Sequence, residues 1–336
     1  MTNDQRPKTN DQRLMITVLS GGGGGVKFLK GLAQCMDPTQ IVAVVNTGDD
    51  FILHGLYISP DVDSTLYSLS DQINPETGWG QKDESWRVMG ALEKLEGETW
   101  FKLGDRDLAT HLYRTQRLFL GEDLAKVTSQ IAKAFKVKVN ILPMTCDRVS
   151  TFLQVDLDSF DSSQCKSDCL SFQEYFVKYK CNPKVTSISF ETSCNPMPTH
   201  GIIEALDRSE AIIIGPSNPF LSIDPILSIK AIREKLVSYR EKVIAISPIV
   251  DGKSLKGPLS KLLIELGKKS DVVSIARHLS SVASVFVIDS SDSSFRKELT
   301  DLNLAVATTN TVMDTETDKV AVAKFVMTKV LAQIGK

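Results

Sequence analysis

Five consecutive glycines, Gly21 to Gly25, join an apolar run, Met15-Ile-Thr-Val-Leu-Ser20, to a helical pattern that begins Val26-Lys-Phe-Leu-Lys-Gly-Leu32. Phe28, Leu29, Leu32 and Met36 share one helical face. Ile41-Val-Ala-Val-Val45 is a second unbroken apolar run, the mark of a strand buried on both faces. Strand, turn, helix and strand within roughly thirty residues make a βαβ unit, which implies a parallel sheet. A turn without side chains brings bare N–H groups and a helix N-terminus up to a ligand, so it suits a phosphate. The plainer alternative is a tight strand-to-helix connection. The turn is not a Walker A loop, because G-x-x-x-x-G-K-[ST] fails at Val26 and Phe28. Nor is it G-x-G-x-x-G, since Val26 stands where the last glycine belongs.

The rhythm continues along the chain. Helices are expected over 64–73, 84–95, 109–120 and 124–135, with 51–61 read as a loop and 136–142 as a strand before Pro143. Residues 149–195 change character: 151–155, 175–178 and 185–190 read as short antiparallel strands, an inserted β-rich segment. From His200 the alternation resumes, with strands at 211–215, 243–246, 285–288 and 304–307. Helices are expected over 201–208, 223–236 and 318–334. Six or seven parallel strands imply an α/β, doubly wound, Rossmann-like sheet with an inserted mixed α/β subdomain. Residues 2–6 and 9–13 repeat Thr-Asn-Asp-Gln-Arg with nothing to bury, so 1–13 is read as a disordered tail and 14–336 as the folded domain.

Composition narrows the class. With 42% hydrophobic and 24% charged residues the chain is an ordinary globular one, and a net charge of −2 argues against a broad nucleic-acid or membrane footprint. No apolar run approaches the roughly 20 residues that span a bilayer, and no signal peptide precedes the first strand, so a cytoplasmic protein is expected. Six cysteines make no disulfide framework in such a chain. Cys35 and Cys146 read as buried thiols. Cys165, Cys169, Cys181 and Cys194 match no zinc knuckle.

Chemistry-bearing residues gather where strands end or glycine and proline break the chain: Asn46/Asp49/Asp50, Asp61/Asp63, Lys102/Asp105/Arg106/Asp107/His111 and Ser217/Asn218. Ligands of open α/β sheets collect at the carboxyl ends of strands. No serine-histidine-aspartate order and no H-x-x-x-H spacing stands out among four scattered histidines. Carboxylates, a few cations and glycine-lined loops suit Mg²⁺ and phosphates, where catalysis is positioning and charge neutralisation. Each cluster has a plainer reading: Asp49-Asp50 as turn residues, Asp63 as a helix cap, Gly-Asp-Arg-Asp as an ion-paired turn, Pro-Ser-Asn-Pro as a rigid one.

Taken in order, Ser20-Gly-Gly-Gly-Gly-Gly-x-Lys-Phe-Leu, Asn46-Thr-Gly-Asp-Asp50, Ile58-Ser-Pro-Asp-x-Asp63, Lys102-Leu-Gly-Asp-Arg-Asp-x-Ala-Thr-His111, Gly215-Pro-Ser-Asn-Pro219 and Ser247-Pro-Ile resemble the 2-phospho-L-lactate transferase (CofD) family. The resemblance implies a transferase of coenzyme F-420 biosynthesis. Such an enzyme moves phospholactate, or phosphoenolpyruvate, from a guanosine-diphospho donor to the deazaflavin Fo and releases GMP. Mg²⁺ and a homodimer come with it.

By that resemblance Gly21, Gly22, Gly23, Gly24 and Gly25, with Lys27, Asn46, Arg106, Ser217 and Asn218, would hold nucleotide and phosphate. Asp63 and Lys102 would contact Fo, Asp63 or Asp50 would orient or deprotonate its hydroxyl, and Asp49 and Asp50 would take the metal. Many members carry a threonine within the glycine turn, where this chain has glycine throughout. The cysteine-bearing segment 162–194 matches nothing in the family pattern and is expected to vary with little effect on the chemistry, while shaping the dimer or the donor pocket. A gluconeogenesis-factor-type regulator that binds nucleotide sugars is the alternative on the same fold.

Overall fold

The computed structural model describes residues 14–159, 167–192, 194–255 and 257–331. The expected tail 1–13, Cys165 and the end of the last helix at 334 lie outside the described residues. In chain order the strands are β1 (Ile16–Ser20), β2 (Ile41–Val45), β3 (Phe51–Leu53), β4 (Leu56–Ile58), β5 (Asn140–Pro143), β6 (Val149–Asp156), β7 (Cys169–Ser171), β8 (Lys184–Thr192), β9 (Ala211–Ile214), β10 (Val243–Ile246), β11 (Ile249–Val250), β12 (Lys253–Ser254), β13 (Val285–Asp289) and β14 (Ala305–Thr309). Seven of them form one parallel sheet in the order β14-β13-β10-β9-β1-β2-β5. The first helices are α1 (Gly22–Cys35), α2 (Pro60–Leu69), α3 (Arg87–Lys94), α4 (Asp105–Phe119) and α5 (Leu124–Ala134).

The sheet divides the core in two. Alternate residues of a strand face opposite sides, so Ala211 and Ile213 join one cluster while Ile212 and Ile214 join the other. On the first face lie Phe28, Leu29 and Leu32 of α1, Val62 and Leu66 of α2, Val127 and Ile131 of α5, and Val322 and Val326 near the C-terminus. On the second, Leu153, Val155, Leu170 and Val185 of the antiparallel sheet β7-β6-β8 pack with Ile226, Ile232 and Ile275. Because β6, β7 and β8 share that core, the inserted sheet is held against the parallel one by apolar burial.

Several local expectations give way. Residues 51–58 are the hairpin β3–β4, not a loop, and α2 starts earlier, at Pro60, where proline fits the first helical turn. Residues 174–178 are a helical turn (Glu174–Lys178), not a strand, with Tyr175 fully buried. The helix expected over 223–236 breaks at Ile229, whose ψ of 102° separates Asp224–Ser228 from Lys230–Ser238. Strand β5 begins at Asn140 because Lys136 and Val137 close the end of α5, donating to Lys133 O and Ala132 O. The helix expected from 84 begins at Arg87, since Glu84 accepts from the N–H groups of Gln81 and Asp107. Cys146 is exposed, not buried. Among the described residues no helix is long and apolar enough to cross a membrane.

Candidate active site

Strand order reverses between β1 and β9, and the crevice at their carboxyl ends is where open α/β sheets take ligands. The glycine turn after β1 and Gly215-Pro216-Ser217-Asn218 after β9 form its walls. Gly21 N donates to Ser217 Oγ (3.3 Å) and Gly22 N to Asp61 Oδ1 (2.7 Å). Gly22 has φ +61°, a conformation that favours glycine, and a Cβ on Gly24 would fall on the carbonyl of Pro216. Gly23 alone of the five has nothing within 4 Å of the position a Cβ would take. The first turn of α1 is thus pinned on either side and open at Gly23, with the positive end of a 14-residue helix beneath it.

Two sets of carboxylates stand beside this turn, and their partners differ. In the first, Asn46 Nδ2 donates to Asp61 Oδ2 (2.9 Å) and Asp49 Oδ1 (3.2 Å), while Asn46 Oδ1 accepts from Gly48 N (2.8 Å). Gln173 Nε2 donates to Asp49 Oδ2 (3.0 Å), and Ser59 Oγ donates to Asp50 (2.8 Å). Every one of these donors is neutral. Burial therefore pushes Asp49 well above the carboxylate range, and the charges of Asp61 and Asp50 add to it. Burial likewise raises Asp50 well above that range and raises Asp61, against the hydrogen bonds from Ser59 and from Asn46 and Gly22.

The second set carries its own cation. The guanidinium of Arg114, with no solvent exposure, holds both oxygens of Asp63, Nη1 to Oδ2 at 3.0 Å and Nη2 to Oδ1. Nη1 also lies 3.3 Å from His111 Nδ1; a guanidinium only donates, so Nδ1 accepts. His111 Nε2 sits 3.3 Å from Asp107 Oδ1 without closing a hydrogen bond, and Tyr67 OH donates to the same oxygen (2.6 Å). Burial alone would raise Asp107, but His111, Tyr67 and Arg114 outweigh it and hold the carboxyl below its ordinary value. Helix α4 supplies this set by an i, i+4, i+7 spacing, Asp107, His111 and Arg114, on its inward face. Its outward face carries Leu112, Tyr113, Phe119 and Leu120, all exposed.

Asp63, Asp107 and His111 offer ligand atoms within 4.8 Å of one another, a possible metal triad. Arg114 occupies both oxygens of Asp63, so the positive charge such a site needs is already present there. Asp49, Asp50 and Asp61 are buried or half-buried carboxylates whose hydrogen-bond donors are neutral, but among the described residues they do not gather into a triad of that kind.

The residues singled out in the sequence fall into distinct places. Asn46, Asp49 and Ser217 meet at the crevice with the glycine turn, and Asp50 and Asp63 lie behind them. Lys27 reaches outward to Asp314 (3.4 Å). Lys102 is exposed on the loop before α4, and Arg106 Nη1 donates to Lys82 O (3.0 Å). Asn218 Oδ1 caps the next turn, accepting from Phe220 N (3.0 Å) and Leu221 N (3.3 Å). Asp61 was visible only as part of a cluster, and Arg114, Tyr67 and Gln173 were not seen. The i, i+4, i+7 polar face of α4 was the available signal for Arg114; nothing in the sequence marks Gln173.

The CofD family profile, described as "2-phospho-L-lactate transferase CofD", matches residues 16–331. The chain is 37% identical over 310 residues to the 2-phospho-L-lactate transferase of Methanocaldococcus jannaschii, covering 92% of this chain and 96% of that one. It is 38% identical to the phosphoenolpyruvate transferase of Streptomyces griseus over 80% of this chain and 83% of that one. In fold it is similar to a solved Bacillus halodurans protein, with a TM-score of 0.61, 17% identity, and 94% and 99% of the two chains covered. The glycine crevice and its carboxylates therefore sit in a chain that belongs to the CofD family of 2-phospho-L-lactate transferases, a family of enzymes.

Proposed function

We propose that this chain moves a phospholactyl or phosphoenolpyruvyl group from a guanosine-diphospho donor, such as lactyl-2-diphospho-5'-guanosine, to the terminal ribityl hydroxyl of the deazaflavin Fo. The products are coenzyme F-420-0, or its dehydro form, and GMP. The observation that carries this reading is the placement of two carboxylates, Asp49 and Asp61, with neutral hydrogen-bond donors beside an open helix N-terminus. The first turn of α1 holds the diphosphate, Ser217 steadies the turn, and Lys102 faces the acceptor.

Asp49 and Asp61, bridged by Asn46 Nδ2, would hold Mg²⁺, which when bound supplies positive charge to the diphosphate. The acceptor hydroxyl attacks the phosphorus that bears the lactyl or enolpyruvyl group. The new P–O bond forms as the bond to the GMP phosphate breaks, and GMP leaves with that electron pair. Of the two base candidates, Asp63 has both oxygens engaged by Arg114, whereas Asp50 has hydroxyl partners and a raised carboxyl; Asp50 takes the proton and Asp63 anchors the acceptor wall. The same reading includes a homodimer, supported by the exposed apolar stripe of α4.

Mass spectrometry of the product from each synthetic donor with Fo tests the reaction and separates the two donors. Deazaflavin fluorescence on titration tests the acceptor. Binding of a UDP-sugar without Fo binding would favour the nucleotide-sugar-binding regulator.

A further inference from the structure

The inserted segment reaches the carboxylates through one side chain. Gln173 lies between β7 and the helical turn Glu174–Lys178, is 4% exposed, and places Nε2 3.0 Å from Asp49 Oδ2. Its backbone is pinned on either side. Glu174 Oε2 accepts from Ser171 N (3.0 Å) and Ser171 Oγ (2.7 Å), and Tyr175 is fully buried in the second-face core. Two further contacts tie the insert to the same place. Thr151 N of β6 donates to Gly48 O (2.7 Å), and Lys178 Nζ lies 5.8 Å from the centre of the Trp100 ring, two residues before Lys102. A Cβ on Gly48 would stand 2.8 Å from Thr151 Oγ1, so β6 lies close enough to leave no room for a side chain at Gly48.

Asp49 is thereby held by two amides, Asn46 on Oδ1 from beneath and Gln173 on Oδ2 from the insert. An amide fixes the plane of a carboxylate through a hydrogen bond yet adds no charge. A lysine or arginine in that place would neutralise Asp49, as Arg114 does Asp63. The neutral donor keeps the carboxylate's charge available to a cation while removing its freedom to rotate.

We propose that Gln173 is a positioning residue of the active site: it orients Asp49 and makes the inserted sheet a part of the catalytic apparatus. This deepens the transferase reading and rests on it for the identity of the reaction. The segment 162–194, expected from the sequence to vary with little effect on the chemistry, thus places one of its side chains on a crevice carboxylate.

The test uses the full-length protein with Gln173→Met, which keeps length and removes the donor, and Gln173→Asn, which keeps the amide and shortens its reach. Two measurements are made: steady-state transfer from the donor to Fo, and the thermal shift of the ligand-free protein on titration with MgCl2 alone. Gln173→Met is expected to lower kcat about tenfold with KM for Fo within about twofold, and to raise the Mg²⁺ midpoint about fivefold or more. Gln173→Asn should show the same losses. In an Asp49→Ala background, Gln173→Met should add almost nothing to either, because the carboxylate it orients is gone. A general packing defect would instead add in full to Asp49→Ala and leave the Mg²⁺ midpoint where it was; that result, or wild-type kcat and midpoint in Gln173→Met, overturns the proposal. If the wild type transfers no group from either donor, the transferase reading fails, and the Mg²⁺ titration and its double variant still decide the role of Gln173.

Discussion

Arg114→Met removes the only cation in contact with Asp63 among the described residues and leaves its carboxylate buried, with Asp107 close by. Removing one partner of a buried ion pair costs about 3–5 kcal/mol, chiefly because the other charge stays behind without compensation. For a chain of this length the unfolding entropy is about 0.7 kcal/mol per kelvin, so the melting temperature should fall by about 4–7 °C. Arg114→Lys keeps the charge and loses the two-pronged geometry, and should fall by about half as much. The deciding comparison is the double variant Asp63→Asn/Arg114→Met. With both charges gone it should regain at least half of the loss seen in the single variant, measured by scanning calorimetry in chelator-treated buffer. A fall under about 1 °C in Arg114→Met, or a double variant that loses the sum of the two single effects, would refute the idea that Arg114 supplies this cluster's charge.

The glycine turn gives a paired test. Gly24→Ala pushes a methyl onto the carbonyl of Pro216 and should cost about 1–3 kcal/mol and weaken GMP binding more than tenfold. Gly23→Ala has open space and should fold with an unchanged melting temperature; equal damage from both would remove the distinction between them. Phe119→Glu puts a charge at the 90% exposed C-terminal end of the α4 stripe and should halve the mass seen by light scattering, whereas an unaltered dimer would place the interface elsewhere. Asp107 has a folded pKa below its unfolded one. The stability it contributes is therefore complete above the unfolded value and is lost as pH falls through the folded value. Asp107→Asn should accordingly flatten the acid limb of the melting curve below about pH 4, and an unchanged limb would count against the cluster.

How much of this was legible depends on the range over which the cause acts. Strands buried on both faces read as unbroken apolar runs, so Ile41–Val45, Ala211–Ile214 and Val285–Asp289 were recognisable from single stretches of chain. The hairpin β3–β4 was hidden because its strands are three residues each, too short for alternation to show. Tyr-Phe-Val-Lys at 175–178 offers β-prone side chains, yet the turn is helical because Tyr175 is drawn into the core beside Lys261. The crevice residues Gly21–Gly25, Asn46 and Asp49 stood out because they follow predicted strands. Arg114 and Gln173 did not, since their partners lie 51 and 124 residues away and no local pattern encodes such a pairing.

The close approach of α1 to the last helix, Glu316–Phe325, bears on the order in which the enzyme forms. A Cβ on Gly31 would fall on the carbonyl of Lys319, Gln34 Nε2 donates to Glu316 (2.9 Å), and Cys35 Sγ to Val320 O (3.5 Å). Gln34, on the helix that carries the glycine turn, is made 282 residues before Glu316, on its cover. Until residue 326 is free, Leu29 and Leu32 lack Val322 and Val326 against which to pack. A nascent chain cut short before the final helix therefore holds the whole glycine turn but only half of its bed, an exposed apolar face of the kind that chaperones retain and proteases find. The bed beneath the glycine turn becomes a rigid surface only once that far-removed helix has been made and has docked on α1.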